Sequence, residues 1–413
     1  MSATVTANGA GGRARARGQH PPEGAPPRSR AQEIEGFRGI AALSTVIFHV
    51  WQMYMQYGPD GPKPPVDGMA LGSLISLEVV DLFLVMSAYL LTLSYARAAI
   101  DGGTVRPARS FMYRRIIRIL PLYYLMVLVV WVSRNPVLPG NWLDLVEHLT
   151  FTHLFDRQRI FYTLGPTWSL SLEIIFYFVL VAIGPLAIRF CRRFAKRSTR
   201  VAISAGGCVL LYVLPLVWIS VARYAYHVGH LDYPVYFGPQ ARFGGFAAGM
   251  LLAVLAVALK DRGTVPTWLA VPLRLASLVA LYVLSWVSVP ENFAFTFFHP
   301  MSSVVWGVLL YATLRSRKKG AWHRALQARW LTFVGLISYS LYILHEPVML
   351  ELDKHGLLPG GTYGYPLGTV LVLCLAIPAS VVTYWLIEYP AGLLGRLQDK
   401  SGAKRDFYPE LVN

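Results

Sequence analysis

Two ionisable side chains stand in the first long apolar stretch, FRGIAALSTVIFHV: Arg38 and His49. An imidazole titrates near neutrality and can take a proton from a hydroxyl. A guanidinium is a permanently charged fork that suits phosphate oxygens. Eleven residues are close to three helical turns, so on a helix the two share a face, roughly 16 Å apart along the axis. Other chemistry-bearing residues also fall in apolar runs: Glu78 and Asp81; Trp168, Ser169 and Glu173 in WSLSLEIIFY; Arg242; and Tyr342, His345 and Glu346 in ISYSLYILHEP. Ser169 and Glu173 are one turn apart and share a face. Arg114, Arg115 and Arg118 form a second, purely basic group with Arg38. Ionisable groups inside a membrane are costly, so each is a functional candidate by default.

The elements that must position them are membrane helices. The chain has 413 residues, 55% hydrophobic and only 15% charged, whereas a soluble domain is about 25% charged. Apolar spans fall at about 37–57, 72–95, 119–133, 167–188, 201–222, 241–259, 270–289, 298–314, 330–350 and 366–389. The expected fold is all-α and polytopic, with about ten transmembrane helices. The third span is short and the basic segment before it is expected to continue the helix. The seventh is expected to break near Pro272. Residues 1–33, rich in Gly, Ala, Pro and Arg, read as a disordered basic tail, with no removable signal peptide and the first span as an uncleaved anchor. Residues 34–390 form the membrane domain and 391–413 a short tail.

Net charge is +16, and its distribution says why. Basic residues crowd the first tail and the connections after spans two, four and eight, as in Arg97, Arg106 and Arg109, in Arg189, Arg192 and Arg193, and in Arg315, Arg317 and Lys318. About 30 of the 38 Lys and Arg residues fall on one side and about six on the other. Both termini are therefore expected in the cytoplasm, and the basic excess is topology rather than nucleic-acid binding. The scattered Cys191, Cys208 and Cys374 lack metal or disulfide spacing, so neither a zinc site nor a disulfide framework is expected.

This topology puts Arg38 near the cytoplasmic end and His49, Asp81, Glu173, Arg242 and His345 in the outer half. Several residues carry plainer readings. Ser87 and Ser169 are expected to bond back to their own helices. Glu78 and Glu388 read as structural ion partners. His148, His153, His227, His230 and His355 lie in outer loops, where solvation is the ordinary state.

The sequence resembles the integral-membrane acyltransferase family three over about 33–390. The opening pattern is met by Glu35, Gly36, Phe37, Arg38, Gly39 and His49; a second by DLFLVMSAYLL with Asp81 and Ser87; a third by Arg115, Arg118, Pro121 and Tyr123. A fourth is met by Trp168, Ser169, Leu170 and Glu173. The late pattern is met by Gly335, Ser338, Tyr339, Ser340, Tyr342, His345 and Pro347, and Glu388 in YWLIEYP fits the closing helix. Ala88, Ile174 and Glu346 depart from the usual residues, which bears on the acceptor pocket. Members move acyl groups from acyl-CoA onto hydroxyls of sugars, cell-surface glycans and natural products.

The resemblance implies a membrane O-acyltransferase with acyl-CoA as co-substrate and no permanently bound cofactor. His49 is the expected general base, with Glu173 or Asp81 as its partner. Arg38, Arg115 and Arg118 are expected to bind the CoA phosphates. Arg242, His345, Trp168 and Tyr342 are expected on the acceptor side. The partners are acyl-CoA, a hydroxyl acceptor such as a glycan or macrolide-like molecule, and the bilayer; the place is the cytoplasmic membrane of a bacterium. Arginine outnumbers lysine, which suits a high-GC genome and points toward natural-product tailoring. The competing reading is a proton-coupled transporter or flippase, because buried charges at two depths also describe a transport path. The absence of an internal inverted repeat counts against it.

Overall fold

The computed structural model describes residues 28–58, 61–65, 69–75, 79–288 and 292–397. Glu78, the tail arginines Arg13, Arg15 and Arg17, and residues 398–413 lie outside them. Helix α1 (Arg28–Met53) is followed by a small hairpin of β1 (Gln56–Gly58) and β2 (Gly61–Lys63), then α2 (Met69–Ile75), α3 (Val80–Ile100) and α4 (Ala108–Arg134). Next come α5 (Trp142–Leu149), α6 (Trp168–Cys191), α7 (Arg197–Ser220), α8 (Tyr233–Phe237), α9 (Pro239–Leu259) and α10 (Thr267–Val287). The chain continues through α11 (Phe293–Thr296), α12 (Phe298–Leu314), α13 (Ala321–Leu326), α14 (Arg329–Leu336), α15 (Ser338–Lys354), α16 (Gly364–Thr383) and α17 (Tyr389–Leu397).

The protein is a helical polytopic membrane protein. Among the described residues, seven helices are long and apolar enough to cross a bilayer, and the bent pair α14/α15 makes an eighth. The other two expected spans correspond to α1, whose apolar run is interrupted by charges, and α12, which has 17 residues. Helices α3 and α9 form the centre, flanked by α6, α7 and α12, while α1 lies against α14, α15 and α16.

Several boundaries differ from the sequence expectation. α1 starts at Arg28, inside the expected tail, because Glu33 and Ile34 are buried and Lys319 and Gln327 bond the Glu33 carboxylate. Of the second expected span, α2 to Ile75 and α3 from Val80 are described, and residues 76–78 lie outside the described residues. The basic segment before the third span is indeed helical, giving one helix from Ala108 to Arg134 through Pro121. No break occurs at Pro272. It lies in the second turn of α10, which runs on from Thr267 to Val287 as one helix although the ring removes the backbone hydrogen bond to the Trp268 carbonyl.

The break falls instead in the ninth expected span, where α14 and α15 are bent by 74° at Ile337. Gly335 stands just before the break and packs directly on α1. A Cβ there would lie 2.0 Å from the Glu35 carbonyl oxygen, so only glycine lets α14 press its backbone against α1. The Gly335–Ser338 neighbourhood is also a typical composition for a helix kink. The kink turns α15 so that its successive turns face α1.

Candidate active site

The shared face of α1 meets α15 at both of its polar residues. Arg38 donates through Nη2 to Ser338 Oγ at 2.9 Å and through Nη1 to Glu35 Oε1 at 3.2 Å. Farther along, His49 Nδ1 lies 2.8 Å from His345 Nε2. His345 Nδ1 lies 3.0 Å from the Leu341 carbonyl oxygen, which can only accept. The His345 proton therefore sits on Nδ1, its Nε2 carries a lone pair, and His49 must donate from Nδ1. That leaves the lone pair of neutral His49 on Nε2. His345 is fully buried while His49 is half-buried, so the free lone pair belongs to the more accessible ring.

The partner of His49 is thus a histidine, not either expected carboxylate. Glu173 Oε1 accepts from Ser87 Oγ at 2.7 Å and from Tyr177 Oη at 2.6 Å. Ser87 therefore bonds across to α6 rather than back to its own helix. Asp81 is 1% exposed and Oδ2 accepts from His299 Nδ1 at 3.0 Å and from Ser302 Oγ. Its other oxygen lies 3.9 Å from Arg242 Nη1. The physical reason for both differences is packing: α6 turns Glu173 toward α3, and Asp81 in the first turn of α3 is met by α9 and α12. His299 was absent from the sequence candidates; a histidine at the start of an apolar span was its available signal.

Arg242 lies between two aromatic faces, 5.0 Å from the Trp168 ring and 4.4 Å from the Phe237 ring, and Nε donates to the Tyr236 carbonyl. Tyr342 is one turn before His345. Its Oη donates to the Pro166 carbonyl, so Ser169 Oγ, 2.7 Å away, donates to it. The neighbouring Glu346 accepts the Gly165 backbone N–H at 2.7 Å, and a Cβ on Gly165 would lie 2.4 Å from Glu346 Oε1. Residues 165–169 are therefore clamped onto the part of α15 around Tyr342–Glu346. Ser169, expected to bond only within its own helix, is part of this clamp.

Of the second basic group, Arg118 precedes Ile119, whose carbonyl accepts from Tyr339, the residue after Ser338. The Arg115 guanidinium is 5.8 Å from the ring centroids of Phe111 and Tyr177. Arg115, Arg118 and Glu173 all act electrostatically on the Tyr177 hydroxyl. Arg38–Ser338 and His49–His345 are thus two polar contacts along the seam of α1 and α15.

His148 and His153, expected to be solvated, are fully buried and stacked face to face with ring centroids 4.1 Å apart. His148 Nδ1 meets Asp144 Oδ1 at 3.1 Å, and Thr163 bonds the other oxygen of Asp144. Burial, and then the neighbouring His148, push the His153 imidazole down from 6.5 to about 3. Its folded value is depressed, so the unfolded chain takes up a proton first as pH falls below 6.5. This contribution to stability is fully present above 6.5 and is lost toward about 3, at about 1.4 kcal/mol per pH unit at most. Thermal unfolding of purified protein should therefore give a lower Tm at pH 5 than at pH 7.5, with a smaller gap in His153→Gln. Equal gaps in the two proteins would remove His153 as the cause. His227 and His355 are exposed as expected, and His230 contacts Thr296. Among the described residues no group of His, Cys, Asp and Glu is arranged to hold a metal ion.

A family model described as an acyltransferase domain, Acyl_transf_3, matches residues 32–385. The protein named membrane-bound transacylase BcsY from Komagataeibacter xylinus is 27% identical over 386 residues, covering 88% of this chain and 83% of its own length. Peptidoglycan O-acetyltransferase OatA from Listeria monocytogenes is 22% identical over 342 residues, 78% of this chain and 50% of OatA. A protein of Staphylococcus aureus named as an O-acetyltransferase is 21% identical over 383 residues, 86% of this chain and 56% of that protein. The chain thus spans about half the length of these last two relatives. No solved structure matches it.

Proposed function

This chain belongs to the Acyl_transf_3 family of acyltransferases, and we propose that it transfers an acyl group from acyl-CoA to a hydroxyl of a carbohydrate or natural product, with His49 as general base. The observation that carries this reading is the directed pair His49–His345, held by the Leu341 carbonyl. It leaves a lone pair on His49 Nε2, the atom that would take the acceptor's proton. The alcohol oxygen attacks the thioester carbonyl, the proton passes to Nε2, and collapse of the tetrahedral intermediate expels the thiolate, which takes that proton from the imidazolium. The charge gained by His49 is shared along its hydrogen bond to His345. Arg38, Arg115 and Arg118 would hold the CoA phosphates.

The relatives' names point to acetyl as the group moved and, for OatA, to a glycan as acceptor. A bacterial glycan or natural-product hydroxyl is the corresponding proposal here. We place the arginine end in the cytoplasm and count α1 and α12 as crossings, for ten in the cytoplasmic membrane, on the strength of the charge asymmetry. Trp168, Tyr342 and Arg242 would serve the acceptor on the side opposite the arginines.

The broken helix α14/α15 is the one observation that favours a transporter, since transport sites are commonly built at such breaks. One experiment separates the two. Purified protein given labelled acyl-CoA should release free CoA only when an alcohol acceptor is present; acceptor movement across a proteoliposome without thiol release would sink the enzyme reading. Arg115→Ala should raise the donor KM by about tenfold or more, the loss expected for a charge-assisted hydrogen bond, with a smaller change in kcat. A reduced kcat at unchanged donor KM would remove Arg115 from the donor site.

A further inference from the structure

Glu388 belongs to the closing segment of the fold and has no part in the chemistry above. A π turn at Tyr384–Glu388 links α16 to α17, and such wide turns place residues out of the regular helical register. Glu388 is 6% exposed. Its Oε1 accepts the Ser340 backbone N–H at 3.1 Å and the Ser340 hydroxyl.

Ser340 is the third residue of α15, two residues after the Ser338 that takes the Arg38 hydrogen bond. Between them, Tyr339 donates through Oη to the carbonyl of Ile119 at 2.7 Å, next to Arg118 on α4. The start of α15 therefore joins α1, α4 and the π turn. Two of these carry arginines, and both Arg38 and Arg118 act electrostatically on the Glu388 carboxylate. The 74° break also frees the first N–H groups of α15 from α14, adding partial positive charge. Glu35 pairs with Arg38 from within α1 at 3.2 Å, and Glu388, held by Ser340 at the start of α15, is a second carboxylate at this junction.

We propose that Glu388 is a positioning residue: a resident carboxylate that holds Arg38, Arg118 and the start of α15 in their donor-binding arrangement before the donor's phosphates arrive. This inference rests on the reading of the arginines as the donor site. Its two contributions oppose each other. The hydrogen bonds to Ser340 secure the arrangement, while the negative charge competes with an incoming phosphate for the same cations.

Conservative and severe variants should consequently shift donor affinity in opposite directions. Glu388→Gln keeps an acceptor oxygen for Ser340 but removes the charge. In isothermal titration of the purified full chain with CoA, its Kd should fall by about threefold or more, with the donor KM falling in parallel and kcat within about twofold. Glu388→Ala removes the scaffold as well, and Kd should rise by about tenfold. If the alanine variant does not yield folded protein, Ser340→Ala keeps the charge and loses the hydroxyl bond, and its Kd should also rise. A Kd that Glu388→Gln leaves unchanged or raises overturns the proposal, as does an alanine or Ser340 variant that binds CoA normally. In the same titration, Arg38→Ala and Arg115→Ala test the underlying reading. If neither weakens CoA binding, the donor site itself is wrong; if they do while the Gln variant shows no gain, only the role of Glu388 falls.

Discussion

With His49 replaced by alanine, turnover is expected to fall by about a thousandfold, while CoA binding changes by less than about twofold. The size is that of a positioned general base, 10²–10⁴ in rate at roughly the middle of its range. The selectivity follows from place: His49 lies eleven residues from Arg38, roughly 16 Å along the same helix, so its loss leaves the arginine end undisturbed. The His345 partner gives a graded control. His345→Ala removes the acceptor of the His49 Nδ1 proton and frees the ring to flip, for which a fall of about ten- to a hundredfold is expected. His345→Gln offers a carbonyl oxygen to the same proton and should recover part of that loss. Acceptor-dependent CoA release, measured beside CoA titration, reads all three. Near-normal turnover by His49→Ala would remove it as the base, and a glutamine variant no better than alanine would remove the hydrogen-bond argument for His345.

Asp81→Ala is expected to act chiefly on stability. Asp81 and Arg242 are both about fully buried, at 1% and 2% exposure, and the carboxylate also takes the His299 and Ser302 hydrogen bonds. Deleting one member of a buried pair leaves the other charge without its counter-ion, which costs about 3–5 kcal/mol. Two aromatic faces and the Tyr236 carbonyl remain around Arg242 and offset part of this. A clear drop in Tm of the detergent-purified protein is the expected readout, with Asp81→Asn smaller because it can still accept from Ser302. An alanine variant with unchanged Tm and no turnover would instead place Asp81 in the chemistry.

These two residues also show where a sequence stops informing. The sequence offers Glu173, with Asp81 as the alternative, beside His49 because helical register assigns depth, and all three share a depth. Depth does not identify a neighbour. Which groups touch depends on how α3, α6, α9 and α15 are rotated and how closely they approach, and those are set by contacts such as Gly335 on the Glu35 carbonyl. The buried pair His148 and His153 was hidden for a related reason: a loop with α5 inside it buries its own polar groups when Asp144 and Thr163 satisfy them.

By itself the sequence determined the membrane-helical class, because 55% hydrophobic composition and long apolar spans have no other stable solution. It also determined that Arg38 and His49 share a face, since that needs only the 3.6-residue period within one helix. The tertiary structure alone decided that His345 and not a carboxylate holds His49, that Ser338 receives Arg38, and that Glu388 accepts from Ser340. Each of those contacts joins helices remote in sequence, and hydrogen bonding requires placement within a few tenths of an ångström, which periodicity does not encode.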